Sequence, residues 1–114
     1  MKIIDDRLKR LEAIAGLRLD LGLSRLREAA KAKADSEEKL TILAKPRPAQ
    51  TLDPVTEALA EARWQGWADV RRARLNLLLA RQTAEWLQAR DDARVDFGRN
   101  EVLSALRGER DQPS

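Results

Sequence analysis

The sequence predicts an all-α protein, an antiparallel two-helix hairpin of coiled-coil type with a longer second helix. Three observations predict it. Residues 3–44 and 54–108 place apolar side chains at steps of three and four, the repeat of one helix face. The four prolines fall at 46, 48, 54 and 113, outside both stretches, which are rich in helix-forming residues. Charged residues make up 36% of the chain and aromatic ones 4%, which is thin for a compact core of ordinary shape and sufficient for paired helices.

The first helix is expected over about 3–44. Ile4, Leu8, Leu11, Ala15, Leu19, Gly22, Leu26 and Ala30 step along one side, and Leu40 and Ala44 resume the line. Lys33 and Glu37 interrupt it, so the seam is expected to pack loosely at mid-length. The steps average closer to 3.6 than to 3.5, so strong left-handed supercoiling is not demanded. The alternation from Leu17 to Leu23 also fits a strand, but leucine favours helix, β-branched residues are missing there, and no second strand exists to pair with it. Gly16 and Gly22 weaken the helix locally or let another backbone come close. Asp35-Ser36-Glu37-Glu38 has the character of a capping box, which leaves a break there open.

Lys45-Pro46-Arg47-Pro48-Ala49-Gln50-Thr51-Leu52 is the connection, because Pro46 disfavours α conformation at Lys45 and Pro48 prevents an early restart. Asp53 can cap the second helix and Pro54 suits its first turn. The helices are expected to be about 60 and 80 Å long at 1.5 Å per residue. Paired from the turn outward, Ala44 sits near Val55, Leu26 near Ala73 and Leu8 near Asp91. The second helix then overhangs beyond about residue 95, with Phe97, Val102, Leu103 and Leu106 unopposed. Gly98 could kink it, Gly108 can end it, and residues 109–114 are expected to be disordered.

The second helix has two apolar faces. Val55, Leu59, Ala62, Gly66, Val70, Ala73, Leu77, Ala80, Ala84 and Leu87 form a stripe suited to the first helix. Trp64, Trp67, Leu75, Leu78, Trp86 and Ala89 lie on roughly the opposite side and include every tryptophan of the chain. One partner helix cannot cover both. Which face is the seam stays open at this point, since tryptophans also fill cores. The net charge of +3 is modest, yet residues 62–84 hold Arg63, Arg71, Arg72, Arg74 and Arg81 against the single acid Asp69. Arg63, Arg74, Arg81 and Arg99 share a line between the faces, as a solvated coiled-coil flank would. A surface mixing Trp and Arg has the composition of binding hot spots. The candidate partner-binding residues are Trp64, Trp67, Val70, Arg71, Arg74, Leu75, Leu77, Leu78, Arg81 and Trp86.

Catalytic chemistry finds little support. His and Cys are absent, which removes the usual zinc sites, His-based triads and thiol nucleophiles together. Asp91, Asp92 and Asp96 are interleaved with arginines at 90, 94 and 99, where ion pairing is the natural role. The glycines are scattered singly, so no phosphate loop exists. No cofactor and no metal are expected. Without an apolar leader or a run of eighteen apolar residues, the chain is expected to be cytoplasmic and not inserted in a membrane.

Arg7-Leu8-Lys9-Arg10-Leu11-Glu12 at the start of the first helix, Glu38, Leu40 and Leu43 near its end, the aromatic run Arg63-Trp64-Gln65-Gly66-Trp67-Ala68-Asp69-Val70, and the tail Arg90, Ala93, Arg94, Phe97, Arg99 and Glu101 together resemble the FliJ-like family. These are the small coiled-coil stalk proteins of flagellar and type III export, which include the YscO-type members. The resemblance implies a non-enzymatic stalk or general chaperone that inserts into a hexameric export ATPase and contacts the export gate. The family's gate-contacting positions fall here on Val70, Arg74, Leu77 and Arg81, two of them arginine. Two other readings accompany it. One is a homodimeric four-helix-bundle scaffold, in which the second face meets its own copy. The other is a hairpin binding nucleic acid through Arg63, Arg71, Arg74 and Arg81, against which the near balance of total charge argues.

Overall fold

The computed structural model describes residues 2–48 and 53–111, with side chains through 109. It consists of two helices, α1 (Lys2–Leu43) and α2 (Pro54–Asp111), joined by a short connection. The hairpin is all-α, as the periodicity predicts. Among the described residues there is no strand, and the alternating segment from Leu17 to Leu23 is helical. Asp35-Ser36-Glu37-Glu38 is no break either, because Ser36 is taken up in the helix interface instead. Gly98 and Gly108 do not interrupt α2. Residues 109–111, expected to be disordered, continue it, while 112–114 lie outside the described residues.

The start of α2 follows its sequence. The Thr56 N–H donates to Asp53 Oδ1 at 2.6 Å, and the Glu57 N–H closes the first turn on the Asp53 carbonyl at 2.9 Å. Pro54, which has no N–H to lose, occupies the first helical position. The bond from the Thr56 amide holds the Asp53 carboxyl below its ordinary range.

Contacts divide the chain into two compact units. The turn unit, Lys31–Ala84, carries the cluster of Leu43, Ala68 and Leu75, with Leu40 and Trp64 packed against it. In the same unit the buried Ser36 hydroxyl donates to Gln82 Oε1 at 2.5 Å. The terminal unit joins Met1–Ala30 to Glu85–Ser114. There Ala15, Gly22 and Ala93 are buried, and Arg107 Nη1 donates to Glu12 Oε2 at 2.9 Å. A Cβ on Gly22 would stand 3.1 Å from Asp96 Oδ2 and 3.7 Å from the Ala93 Cα, so its missing side chain is what lets α2 come close.

Two expectations are corrected and one open choice is decided. First, the covered positions of α1 are Leu8, Ala15, Leu19, Gly22, Leu26 and Ala29, then Ser36, Leu40 and Leu43. They follow a seven-residue repeat rather than a 3.6-residue stripe, so Ile4, Leu11, Ala30 and Ala44 are exposed, while Lys33 stays half-buried on the repeat between Leu26 and Leu40 and pairs with the exposed Glu37. Second, the seam on α2 is the bulky face. Trp64, Ala68, Leu75, Leu79 and Trp86 are buried or half-buried, whereas Val55, Leu59, Ala62, Gly66, Val70, Ala73, Leu77, Ala80, Ala84 and Leu87 are all exposed. Covering tryptophan and leucine removes more apolar area from water than covering alanine and glycine, which decides the choice of face.

Third, the register differs. Turn-outward pairing would put Glu12 level with about residue 87; it meets Arg107, roughly twenty residues or ~30 Å further along α2. The expected overhang beyond residue 95 therefore does not exist. The reason lies in the connection. Ser36 faces Gln82, so Leu43, seven residues later, comes level with Leu75, seven residues earlier. α2 begins about twenty residues, or ~30 Å, before that level. Residues 46–48 are outside any helix, and Pro46 and Pro48 favour an extended backbone there. The arm is pinned by Arg47, whose Nε donates to Glu61 Oε2 at 3.0 Å and whose Nη2 donates to Glu57 Oε1.

Two substitutions test the choice of face. Leu75→Ala, at a side chain 3% exposed, should cost ~2–4 kcal/mol in urea unfolding, while Leu77→Ala, at one 58% exposed, should change stability by less than ~0.5 kcal/mol. Gly66→Ala should raise stability by ~0.5–1 kcal/mol, since a Cβ there meets nothing within 4 Å, whereas Gly22→Val should lower the melting temperature by pushing the helices apart.

Candidate protein-binding surface

Because α2 spends its bulkiest face on α1, the rest of its circumference in the turn unit is what it offers to others. Leu77 follows Leu75 by two residues, about 200° round the helix, and so points away from the seam. Val70 and Leu77 lie 53% and 58% exposed on this outer face, in line with Val55 and Leu59 and with the small residues Ala62, Gly66, Ala73 and Ala80 between them. The stripe is apolar and close to flat. A partner helix can approach such a surface closely, because few side chains stand up from it.

One flank of this stripe is basic. Arg63, Arg74 and Arg81 step along it by eleven and seven residues, and Trp67, 58% exposed, stands among them with Leu78. Asp69, the acid of this stretch, is taken by Arg72 at 2.9 Å. Among the described residues no acid pairs with Arg63, Arg71, Arg74 or Arg81. Three guanidinium groups, those of Arg63, Arg74 and Arg81, thus remain available beside an apolar strip, with Arg71 nearer the seam. Each carries a planar set of donors suited to carboxylates.

The ten candidate residues separate accordingly. Trp67, Val70, Arg71, Arg74, Leu77, Leu78 and Arg81 are exposed in the turn unit. Leu75 is buried in the seam, and Trp64 packs against its cluster. Trp86, in the terminal unit, is half-buried, with the Arg90 guanidinium 5.6 Å from its ring centroid. The sequence leaves the choice of seam open and so counts Leu75 and the two tryptophans among the docking candidates; the structure puts them toward α1. Sequence reasoning missed Arg47 entirely. The signal was present: an arginine between two prolines, followed by Glu57 and Glu61 one helical turn apart.

Elsewhere, Asp91 pairs with Arg90, Asp92 accepts from Gln88 and Asp96 lies beside Gly22, and among the described residues no three such groups gather as a metal site would require. No helix among the described residues is long and apolar enough to cross a membrane. Comparison with protein-family models, curated proteins and solved structures gave no match.

The edge of the surface nearest the connection is acid-sensitive. Hydrogen bonds from Arg47 and then Gln65 hold the Glu61 carboxyl below its ordinary value of 4.5, and the same bond raises Arg47. A carboxyl depressed in the folded state stabilises it fully above the ordinary value and loses that contribution as pH falls through the folded one. Helicity followed by circular dichroism should therefore be constant from neutrality down to pH 4.5 and drop more steeply below it than in Glu61→Gln. Arg47→Ala should loosen the connection at neutral pH, seen as faster amide hydrogen exchange at Ala44 and Lys45, whose N–H groups close the end of α1.

Proposed function

We propose that this chain is a non-enzymatic coiled-coil adaptor, with α2 holding α1 by its bulky face and a partner protein by the outer one. The single observation that carries the reading is the exposed stripe through Val70 and Leu77 beside three arginines, Arg63, Arg74 and Arg81, without acidic partners among the described residues. Apolar area of this kind is a cost in water that association relieves, at ~25 cal/mol per Å² covered. Together with the FliJ-like pattern of residues, it supports a partner in protein export: a hexameric export ATPase, for which the hairpin serves as stalk, with the export gate as a second contact and the cytoplasm as the place of action.

Charge weighs against the homodimeric scaffold. In an antiparallel pair of α2 helices the flank that carries Arg63, Arg74 and Arg81 would meet its own copy, arginine against arginine. An acidic partner meets no such penalty. Nucleic acid would satisfy the arginines but leave the apolar stripe bare.

Titrating the chain into a purified export ATPase and measuring hydrolysis and co-sedimentation tests the proposal. Binding with a changed rate is expected, weakened at least tenfold by Leu77→Asp or by Arg74→Glu with Arg81→Glu while the melting temperature holds. No binding and no change in rate would remove the stalk reading. A stable dimer by light scattering at low concentration would favour the scaffold, and steeply salt-dependent binding to a generic duplex would favour nucleic acid.

A further inference from the structure

The terminal unit has an open groove along one side of its helix pair, separate from the surface just described. At one end Leu11 and Ile14 of α1 face Val102 and Leu103 of α2 around a space of about 750 Å³. Leu11, Ile14 and Val102 are 50%, 53% and 59% exposed, so their apolar faces are half bare. Further along, Leu21 and Val95 form a second apolar level. Between the two levels stand Arg18 and Arg99, one from each wall. No acid pairs with either among the described residues; Asp96, beside Gly22, lines both levels with them, and Arg25, Glu85 and Asp92 line the second level, so at their own level the two guanidinium groups face one carboxylate.

We propose that this groove seats a third helix, supplied by a partner protein, which is amphipathic and carries one carboxylate in its apolar stripe at the level of Arg18 and Arg99. Two features select this occupant. Leu11, Ile14, Arg18 and Leu21 step by three, four and three, and Val95, Arg99 and Val102 by four and three, so both walls offer holes at the spacing of another helix's knobs. From Leu11 to Leu21 is ~15 Å, about three turns. The second feature is charge. A wholly apolar helix would bury two guanidinium groups without partners, whereas one with an acid at that level gains charge-assisted hydrogen bonds from both walls. A second copy of this chain is a poor match, because laying groove on groove with the arginine levels aligned brings four arginines together.

The probe is a fluorescein-labelled designed helix about three heptads long, with leucine at the seam positions and one central glutamate, measured by anisotropy against the full chain. A control peptide has lysine at that place. The glutamate peptide should bind at least tenfold more tightly than the lysine peptide, and R18E with R99E should reverse the order. R18Q with R99Q, a milder pair, should abolish the preference while keeping full helicity by circular dichroism. R74E with R81E should leave both affinities unchanged, so this result stands or falls independently of the surface on the turn unit. Equal affinities, no binding of either peptide, or a stable homodimer that occludes the groove would each overturn the proposal.

Discussion

A helix that packs on a single partner can hide about one side of itself, and everything in this protein follows from which side α2 hides. The contest is between a long stripe of small residues and a shorter, bulkier set of tryptophan and leucine. Area decides it. Leu75 and Ala68 go under with Trp64 over them, and the stripe through Val70 and Leu77 is left in solvent. Even the winning side makes a thin core, for among the described residues no large side chain is fully buried. Stability is spread over many modest contacts, and polar side chains such as Ser36 and Arg47 matter more than they would in a thick interior.

The helices themselves were legible in the sequence, because their determinants are local. Proline positions, helix-forming composition and the Asp53-Pro54 start act within a few residues and were read correctly. The register was not, because it depends on where the chain travels between helices. A connection of ten residues can turn at once or run extended beside its neighbour, and composition alone does not distinguish the two. What decides is the bond from Arg47 to Glu57 and Glu61, a contact ten to fourteen residues apart in sequence. The face of α2 stays open in the sequence for a related reason. Counting apolar positions gives Ala62 and Gly66 the same weight as Trp64, whereas burial weighs them by surface area.

The candidate surface was half legible for the same reason. Its arginines were recognised because Asp69 is so conspicuously outnumbered, and they are exposed as a basic flank should be. Its tryptophans were overvalued. Two of the three serve the hairpin, and Trp67 alone stands mostly in solvent. The groove of the terminal unit went unseen because it is made jointly by two helices whose correct alignment the sequence does not reveal.

The hydroxyl of Ser36 and the amide of Gln82 sit in an interface whose positions repeat every seven residues. Sliding one helix by a heptad, ~10 Å, would bring Ala15 or Ala29, each with a Cβ, to the close approach that Gly22 makes to Ala93. It would also strand a hydroxyl opposite Leu75 and leave an amide without its donor, at ~1–3 kcal/mol for each unsatisfied group. With the missing side chain of Gly22, that polar contact works like the notch on a vernier scale: it contributes little grip of its own, yet it helps to mark the alignment at which the repeat reads true.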